Sequence, residues 1–395
     1  MVRITAIHEG TVPISSSMRN AYIDFKDMDC SIVAVESDVI RDGRPVVGYG
    51  FSSNGRYSVG EILRRRVIPR LLQAPPESLL TEDPPTEDGT NIDPVRAWDA
   101  MTRDEKPGGH GERPVAVGVV DMALYDLAAK LAGLPLHHWL ARQYALGEPE
   151  RDVFVYAAGG YYAPGKGVRE LQDEIRHFLD LGYRVVKIKT GGDELAEDLR
   201  RIEAVLKVLD GDGHRLAVDA NGRFDLDTAL RYGQALEPYG LFWYEEPGDP
   251  LDFAQHAALA ERYPGPLATG ENIFSLPDAR NLLRYAGMRP DRDTIQIDPV
   301  LSYGLVEYRR ILDLLDRHGW SSRRCVPHGG HQFSLHIAAA FKLGGNESYP
   351  GEFQPTGGFA DCAAVVDGRV ALTDTPGIGF EDKAALYRVF RALHC

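Results

Sequence analysis

The run RVVKIK (184–189) is the first of six short apolar runs that decide the fold, each ending in a polar residue. The other five are RLAVD (215–219), LFWYE (241–245), LATGE (267–271), TIQID (294–298) and RRCVPH (323–328). The acids Asp219, Glu245 and Glu271 follow one another at intervals of 26 residues. A strand followed by a crossover helix needs a segment of about this length, roughly 30 residues. The interval therefore predicts a repeated βα unit.

Strand and helix patterns alternate from Val153 to about residue 345. Strands are predicted at Phe154, Val185, Leu216, Phe242, Ala268, Ile295 and Cys325. Helices are predicted at 168–181, 196–209, 227–236, 253–263, 277–285, 306–318 and 335–343. The strands are short continuous apolar runs, as parallel strands covered on both faces are. Seven or eight such units with right-handed crossovers predict a (β/α)7–8 TIM-like barrel.

The segments on either side of the barrel predict a capping unit of mixed α+β structure. A meander is predicted over 3–14, 29–40 and 44–53, then helices at 59–73, 95–103 and, in two pieces, 116–140, with a surface loop at 74–93. A hairpin at 365–371 and a helix from Asp382 should pack back onto the meander. We therefore predict an α+β capping domain at 1–150, a catalytic barrel at 151–362 and a C-terminal segment at 363–395 that returns to the cap.

Composition and charge exclude several classes of protein. The 395 residues are 44% hydrophobic and 26% charged, as in a soluble globular protein of about two domains. The net charge of -14 repels phosphate and disfavours nucleic acid and anionic membranes as partners. The N-terminus lacks a signal-peptide pattern, and no run approaches the roughly 18 apolar residues of a membrane span. Because Cys30, Cys325, Cys362 and Cys395 form no Cys-x-x-Cys pair, we expect reduced thiols in a cytoplasmic protein.

The acids at the strand ends indicate a metal site. In a barrel of this kind the carboxyl ends of the strands share one mouth, where active sites lie. Asp219, Glu245 and Glu271 would occupy three successive strands and repel one another unless a cation lay among them. Oxygen-only ligands favour Mg²⁺, with Mn²⁺ as a possible substitute. The alternative is that individual acids cap helices or pair with arginines.

Lys187 and Lys189 should share one face of their strand, because side chains alternate with a period of two. Both would then point into the barrel mouth. Buried near a metal and near each other, one of them is expected to have a lowered pKa and to act as a general base. The alternatives are solvated lysines or a Schiff-base lysine, as in an aldolase.

Asp298 and His328 indicate a second acid–base group across the mouth from Lys189. A carboxylate behind an imidazole fixes its tautomer and raises its pKa. One base or acid on each face of a substrate suits racemisation or anti elimination, and a metal stabilises the enediolate formed when a proton leaves the carbon next to a carboxylate. The alternatives are a structural histidine, or a zinc site that includes His331 but no thiolate.

The motifs KIK (187–189), VDAN (218–221), YEEP (244–247) and GEN (270–272), with Asp298 and His328, resemble those of the mandelate racemase-like branch of the enolase superfamily. The resemblance covers nearly the whole chain. It implies that Asp219, Glu245 and Glu271 bind Mg²⁺, that Lys189 is the base on one face of the substrate, and that His328, oriented by Asp298, acts on the other. It also implies that Lys187 and Glu347 contact the substrate carboxylate.

Further segments resemble the D-tartrate dehydratases within that branch: MRNAY (18–22), GFSSNGRY (50–57), EKPGGHGER (105–113), GGYY (159–162) and HGGHQ (328–332). This resemblance implies that Asn20, Asn54, Lys106 and Tyr161 contact the substrate. A glycine-rich loop could bring Lys106 close to a second, distal carboxylate, and the alternative is an exposed loop lysine. It implies Mg²⁺-dependent dehydration of a small hydroxy diacid, D-tartrate, to oxaloacetate. A homo-oligomer between a dimer and an octamer is expected. The alternatives are a dehydratase or epimerase of another acid sugar, a Schiff-base aldolase and a non-catalytic binding barrel.

Overall fold

The computed structural model of the chain describes residues 1–14, 18–82 and 89–394. It begins with a three-stranded antiparallel sheet formed by β1 (Ile4–Pro13), β2 (Asp29–Arg41) and β3 (Arg44–Phe51). The turn between β2 and β3 is Asp42-Gly43, and both residues have positive φ, 49° and 74°, as two-residue hairpin turns require. The predicted meander is confirmed.

Helices of the cap follow this sheet. They span Gly60–Ile62, Leu63–Val67 (a π-helical turn), Ile68–Leu72, Pro94–Thr102, Arg113–Leu131 and Leu136–Gln143. A small ladder of β4 (Leu80–Thr81) and β5 (Asn91–Ile92) lies where only a loop was predicted, and residues 83–88 of that loop lie outside the described chain. The helix Arg113–Leu131 is buried because β3 packs closely on it: a Cβ at Gly50 would lie 2.2 Å from the Val119 carbonyl oxygen.

The barrel consists of parallel strands that alternate with helices. The strands are β6 (Asp152–Gly159), β7 (Val186–Lys189), β8 (Leu216–Asp219), β9 (Trp243–Glu245), β10 (Leu267–Thr269), β11 (Thr294–Ile295) and β12 (Asn346–Ser348). Neighbours pair in order from β6 to β11, and β12 returns to pair with β6. The helices span Val168–Asp180, Leu195–Val208, Leu226–Leu236, Phe253–Ala260, Leu276–Tyr285, Leu305–Arg317 and Gln332–Phe341. The predicted barrel with an N-terminal cap is confirmed.

The strand predicted at Cys325 is reduced to a single parallel bridge with Ile295. Val326 N still donates to Ile295 O at 2.9 Å, and His328 N donates to Gln296 O at 3.3 Å. Pro327 has no N–H to donate, so a regular ladder cannot continue there. The segment nevertheless occupies the barrel position between β11 and β12, and His328 ends it.

The C-terminal segment contacts both units. The hairpin of β13 (Val365–Val366) and β14 (Arg369–Ala371) was expected on the meander but instead pairs antiparallel with β6, through β14. It can do so because β7 pairs with β6 only from Ala157 onward, which leaves the start of β6 for another strand. The last helix, Ala384–Arg391, reaches the meander, where Phe390 stacks on Tyr49 with ring centroids 4.8 Å apart. The boundaries near residues 150 and 362 stay a prediction.

In the described part of the chain no helix has the length and apolar character needed to cross a membrane. Cys30, Cys325 and Cys362 are free thiols, as predicted, and Cys395 lies outside the described residues. Burial raises the pKa of both Cys30 and Cys325 to about 12, so neither is a reactive thiolate at neutral pH.

Candidate active site

Three carboxylates from neighbouring strands converge at the barrel mouth. Asp219 ends β8, Glu245 ends β9, and Glu271 lies two residues beyond β10. One oxygen of each lies within 4.8 Å of the other two, in a cluster that we call the carboxylate triad. Asp219 and Glu245 are buried and Glu271 is partly exposed. This all-oxygen arrangement fits a hard divalent cation such as Mg²⁺.

Neighbouring groups hold the triad in place. Trp243 Nε1 and Gln296 Nε2 donate to Glu245 Oε2 at 2.7 and 2.9 Å, and Asn221 N donates to Asp219 Oδ1 at 2.8 Å. Burial and then the charge of Asp219 raise the pKa of Glu245 to about 8. A bound cation would relieve this repulsion. Gln296 was not predicted, although its position two residues before Asp298 places it on the same face of the chain.

Lys187 and Lys189 are buried, at 1% and 4% exposure, beside the triad. Lys187 Nζ lies 2.6 Å from Glu245 Oε1 and 2.8 Å from Glu347 Oε1, and Lys189 Nζ donates to Asp219 Oδ2. Burial opposes the charge of both lysines, but the carboxylates outweigh it and raise each pKa above its ordinary value. The sequence predicts a lowered pKa for a lysine beside a bound metal ion, and that stays a prediction. A cation in the triad would act against protonation of both lysines.

His328 and Asp298 form the predicted pair. His328 Nδ1 lies 3.0 Å from Asp298 Oδ2, which also accepts a hydrogen bond from Ser53 Oγ of the cap at 2.5 Å. The carboxylate keeps a proton on Nδ1 and leaves Nε2 for chemistry. Burial opposes the imidazolium charge, but Glu271 and the hydrogen bond to Asp298 raise the pKa of His328 to about 9.

Tyr349, which was not predicted, completes this side of the site. Its hydroxyl donates to Glu347 Oε2 at 2.9 Å and lies 3.3 Å from His328 Nε2. Gly329 N also donates to Glu347 Oε2, at 3.1 Å. Burial works against the ionised form of Glu347, but Lys187 and then His328 lower its pKa to about 2. Tyr349 follows Glu347 by two residues, so the alternation of the strand could have identified it.

A small cavity of about 30 Å³ lies among these groups. The predicted residues that line it are Asn20, Asn54, Tyr161, Lys189, Glu271 and His328, joined by the unpredicted Arg56, Asn221 and Tyr349. Asn54 Nδ2 donates to Gly329 O at 3.1 Å, and its buried Oδ1 has no hydrogen-bond partner among the described residues. Asn54 thus offers an acceptor to a substrate hydroxyl.

Asn20 lines the cavity with its amide oxygen already engaged, and three other predicted contacts do not line it. Asn20 Oδ1 accepts from the Tyr22 and Ile23 amides, at 2.8 and 2.6 Å, and so shapes its own loop. Lys187 and Glu347 do not line the cavity; they lie against Glu245 and Tyr349, respectively. Lys106 is exposed on the loop after Thr102 and does not line the cavity either.

Gly329 is required beside the His328–Asp298 pair. Its φ is 105°, and a Cβ there would lie 2.6 Å from both Asp298 Oδ2 and Ser53 Oγ. We expect Gly329→Ala to cost about 1–3 kcal/mol more unfolding free energy than Gly351→Ala, because crowding adds to backbone strain. Gly351 is a matched control, with a φ of 84° and nothing within 4 Å of a built Cβ. Thermal unfolding of both variants measures the difference, and equal losses would contradict the crowding.

The chain is similar to proteins of known activity. Residues 170–385 match the family described as enolase C-terminal domain-like. L-talarate/galactarate dehydratase from Salmonella typhimurium is 32% identical over 307 residues, which cover 77% of this chain and 71% of that protein. The 3,6-anhydro-alpha-L-galactonate cycloisomerase of Streptomyces coelicolor is 29% identical over 370 residues, which cover 93% and 91%.

A solved structure agrees with these similarities. The crystal structure of L-talarate dehydratase from Polaromonas sp. JS666, complexed with Mg and L-glucarate, has a TM-score of 0.74 to this chain at 27% identity. The match covers 96% of this chain and 94% of that one, and so includes both cap and barrel. By the family match and these relatives, this chain belongs to the enolase superfamily, in the family described as enolase C-terminal domain-like.

Proposed function

We propose that this protein is a Mg²⁺-dependent dehydratase of a small hydroxy diacid, with D-tartrate as substrate and oxaloacetate and water as products. The observation that carries the proposal is that Lys189 and His328 line one small cavity together with Glu271 of the carboxylate triad. The dehydratases of L-talarate/galactarate and of arabinonate among its relatives support the reaction class.

Asp219, Glu245 and Glu271 would hold the Mg²⁺ ion. When bound, the ion supplies the positive charge that stabilises an enediolate made from a carboxylate substrate. The raised pKa of Glu245 is consistent with this assignment, because burial and then the nearby charge of Asp219 disfavour its ionised form, which a bound cation would stabilise. The Mg in the talarate dehydratase structure supports the identity of the ion.

The proposed reaction uses one group on each side of the substrate. Lys189 Nζ removes the proton from C2, the bond between C3 and its hydroxyl breaks, and His328 Nε2 gives a proton to the departing hydroxide to form water. The resulting enol tautomerises to oxaloacetate. Lys189 belongs to the second barrel strand and His328 ends the seventh position, with the triad on the third to fifth strands. That arrangement favours anti elimination.

The cavity is nearly closed in this structure. At about 30 Å³ it has room for about one water molecule, so binding of any hydroxy acid requires it to open. Aromatic rings close it on one side: Phe353 lies 5.1 Å from Phe25 and 4.7 Å from Tyr349, measured between ring centroids. The opening requires this aromatic wall or the cap loops at Asn20 and Asn54 to move.

A substrate screen tests the proposal. The purified protein with Mg²⁺ is assayed for 2-keto acid formation from D-tartrate, galactarate, L-talarate, arabinonate and mannonate. D-tartrate is expected to give the highest kcat/KM. Turnover of another sugar acid without any of D-tartrate would reject this substrate, and epimers without keto acid would favour the epimerase alternative. No product from any acid would overturn the proposal and favour a binding barrel.

Removal of the metal is expected to stop turnover and to lower the melting temperature. Only the folded state brings the three carboxylates together, so the ion binds the folded and not the unfolded chain. At a concentration 100 times its Kd it would stabilise the folded state by about 2.7 kcal/mol. Titration with EDTA, followed by Mg²⁺ or Mn²⁺, measures both effects in the keto acid assay and by thermal unfolding. Indifference to EDTA together with borohydride trapping at Lys189 would instead indicate a Schiff-base aldolase.

Two other expectations stay predictions. One is a homo-oligomer between a dimer and an octamer, which light scattering of the purified protein measures. The other is a cytoplasmic protein without nucleic acid or membrane partners, for which the net charge of -14 is the argument.

A further inference from the structure

Arg56 brings a cation from the cap into the active-site cavity. It lies on the loop that follows β3 and lines the cavity together with Lys189 and His328. Among the described residues it is the only arginine that does so. Because the protein has a net charge of -14, a guanidinium beside the carboxylate triad provides a local positive charge that suits an anionic ligand.

The guanidinium of Arg56 is held in a fixed orientation. Nη2 donates to Asn272 Oδ1, Nη1 donates to Gly55 O at 2.7 Å, and Cζ lies 4.9 Å from the centroid of the Phe274 ring. Asn272 is itself oriented, because its Nδ2 donates to both carboxylate oxygens of Glu246, at 3.1 and 3.0 Å. The bonds from Arg56 to Asn272 and Gly55 use two of the five N–H groups of the guanidinium, so three donors remain for a ligand.

Lys106, by contrast, lies on a loop whose base is fixed away from the cavity. Glu105, the residue before it, accepts from Arg70 at 2.6 Å and from Arg113 at 2.9 Å, and it also pairs with Arg66. Arg113 further donates to Gly108 O at 3.1 Å, which fixes the other side of the loop. Lys106 itself is exposed.

We infer that Arg56 is the specificity-determining residue that binds the distal carboxylate of the substrate, in place of Lys106. The inference rests on the proposed dehydration of a diacid. The carboxylate next to the reacting carbon belongs at the triad, so the second one must be bound at another part of the cavity. A planar guanidinium pairs with a carboxylate through two parallel hydrogen bonds, which a hydroxymethyl or methyl group cannot replace. Arg56 would therefore select diacids over monoacids.

The test compares Arg56→Met and Lys106→Met on two matched pairs of ligands. The reacting pair is D-tartrate and D-threonate, in which a hydroxymethyl group replaces the distal carboxylate. The non-reacting pair is L-malate and L-2-hydroxybutyrate, which have the C2 configuration of D-tartrate but lack a leaving hydroxyl, and their binding is followed by calorimetry with Mg²⁺. Arg56→Met is expected to weaken L-malate binding and to lower kcat/KM for D-tartrate by about 10- to 100-fold. L-2-hydroxybutyrate binding should change little, and Lys106→Met should change neither pair.

The same measurements separate the possible failures. Equal weakening of L-malate and L-2-hydroxybutyrate by Arg56→Met would overturn the inference, since it would show a loosened cap rather than a lost carboxylate contact. A loss with Lys106→Met and none with Arg56→Met would overturn it and return the role to Lys106. Partial rescue by Arg56→Lys would support it. If the wild type turns over no diacid the proposed function fails, while the comparison of L-malate binding still decides the role of Arg56.

Discussion

Replacement of Lys189 by methionine is expected to lower kcat on D-tartrate by about 10²- to 10⁴-fold, the range for loss of a general base. In the part of the chain that the structure describes, Lys189 carries the only amine that lines the cavity. Lys187 cannot replace it, because its Nζ is engaged by Glu245 and Glu347, at 2.6 and 2.8 Å, away from the cavity. Methionine keeps the unbranched four-atom stem and lacks the amine, which takes the proton and also pairs with Asp219.

The variant is assayed in two ways, by keto acid formation and by exchange of the C2 proton with D₂O, followed by NMR. Both should be lost, because exchange also needs the base. Lys166→Met is the matched control, since Lys166 pairs with Glu174 at 2.8 Å on the loop after β6 and does not line the cavity. Persistent exchange in Lys189→Met would assign proton abstraction to another group.

The barrel and the carboxylate triad could be predicted from the sequence because both depend on local rules. Each βα unit advances the chain by one strand, so Asp219, Glu245 and Glu271, one per unit, must become neighbours. The pairing of Asp298 with His328 follows from the same argument applied to two later strand ends. The rule predicts a full strand at Cys325, but only one bridge forms there, because Pro327 has no N–H to continue the ladder.

The part that could not be predicted depends on how the cap meets the barrel. Ser53 donates to Asp298 and Arg56 donates to Asn272, both from the loop after β3. The path of this loop cannot be read from a helix or strand period in the sequence. The same uncertainty applies to Lys106, whose contact with the substrate stays a prediction: it is exposed in this structure, on a loop where Glu105 pairs with Arg113. A basic residue in a glycine-rich loop is compatible with many positions, and only long-range contacts distinguish them.

Replacement of His328 by asparagine is expected to separate the two halves of the reaction. Dehydration should fall by about 10²- to 10⁴-fold, because an amide cannot supply the proton that the departing hydroxide needs. Exchange of the C2 proton with solvent should persist, because Lys189 remains. In D₂O the amine of Lys189 carries deuterium. The proton taken from C2 becomes one of three equivalent hydrogens on the ammonium group, so the hydrogen returned to C2 is mostly deuterium.

The same keto acid and D₂O assays measure this outcome, with Lys189→Met as the reciprocal variant. The two substitutions should give opposite patterns: no exchange without Lys189, and exchange without elimination in the absence of His328. Loss of exchange in His328→Asn, with exchange kept in Lys189→Met, would reverse the roles and make the imidazole the base. That outcome has a physical route, because His328 Nε2 lies 3.6 Å from Glu271 Oε2 and therefore also borders the triad. The pair of variants thus decides from which side the proton leaves and from which side the hydroxyl is protonated.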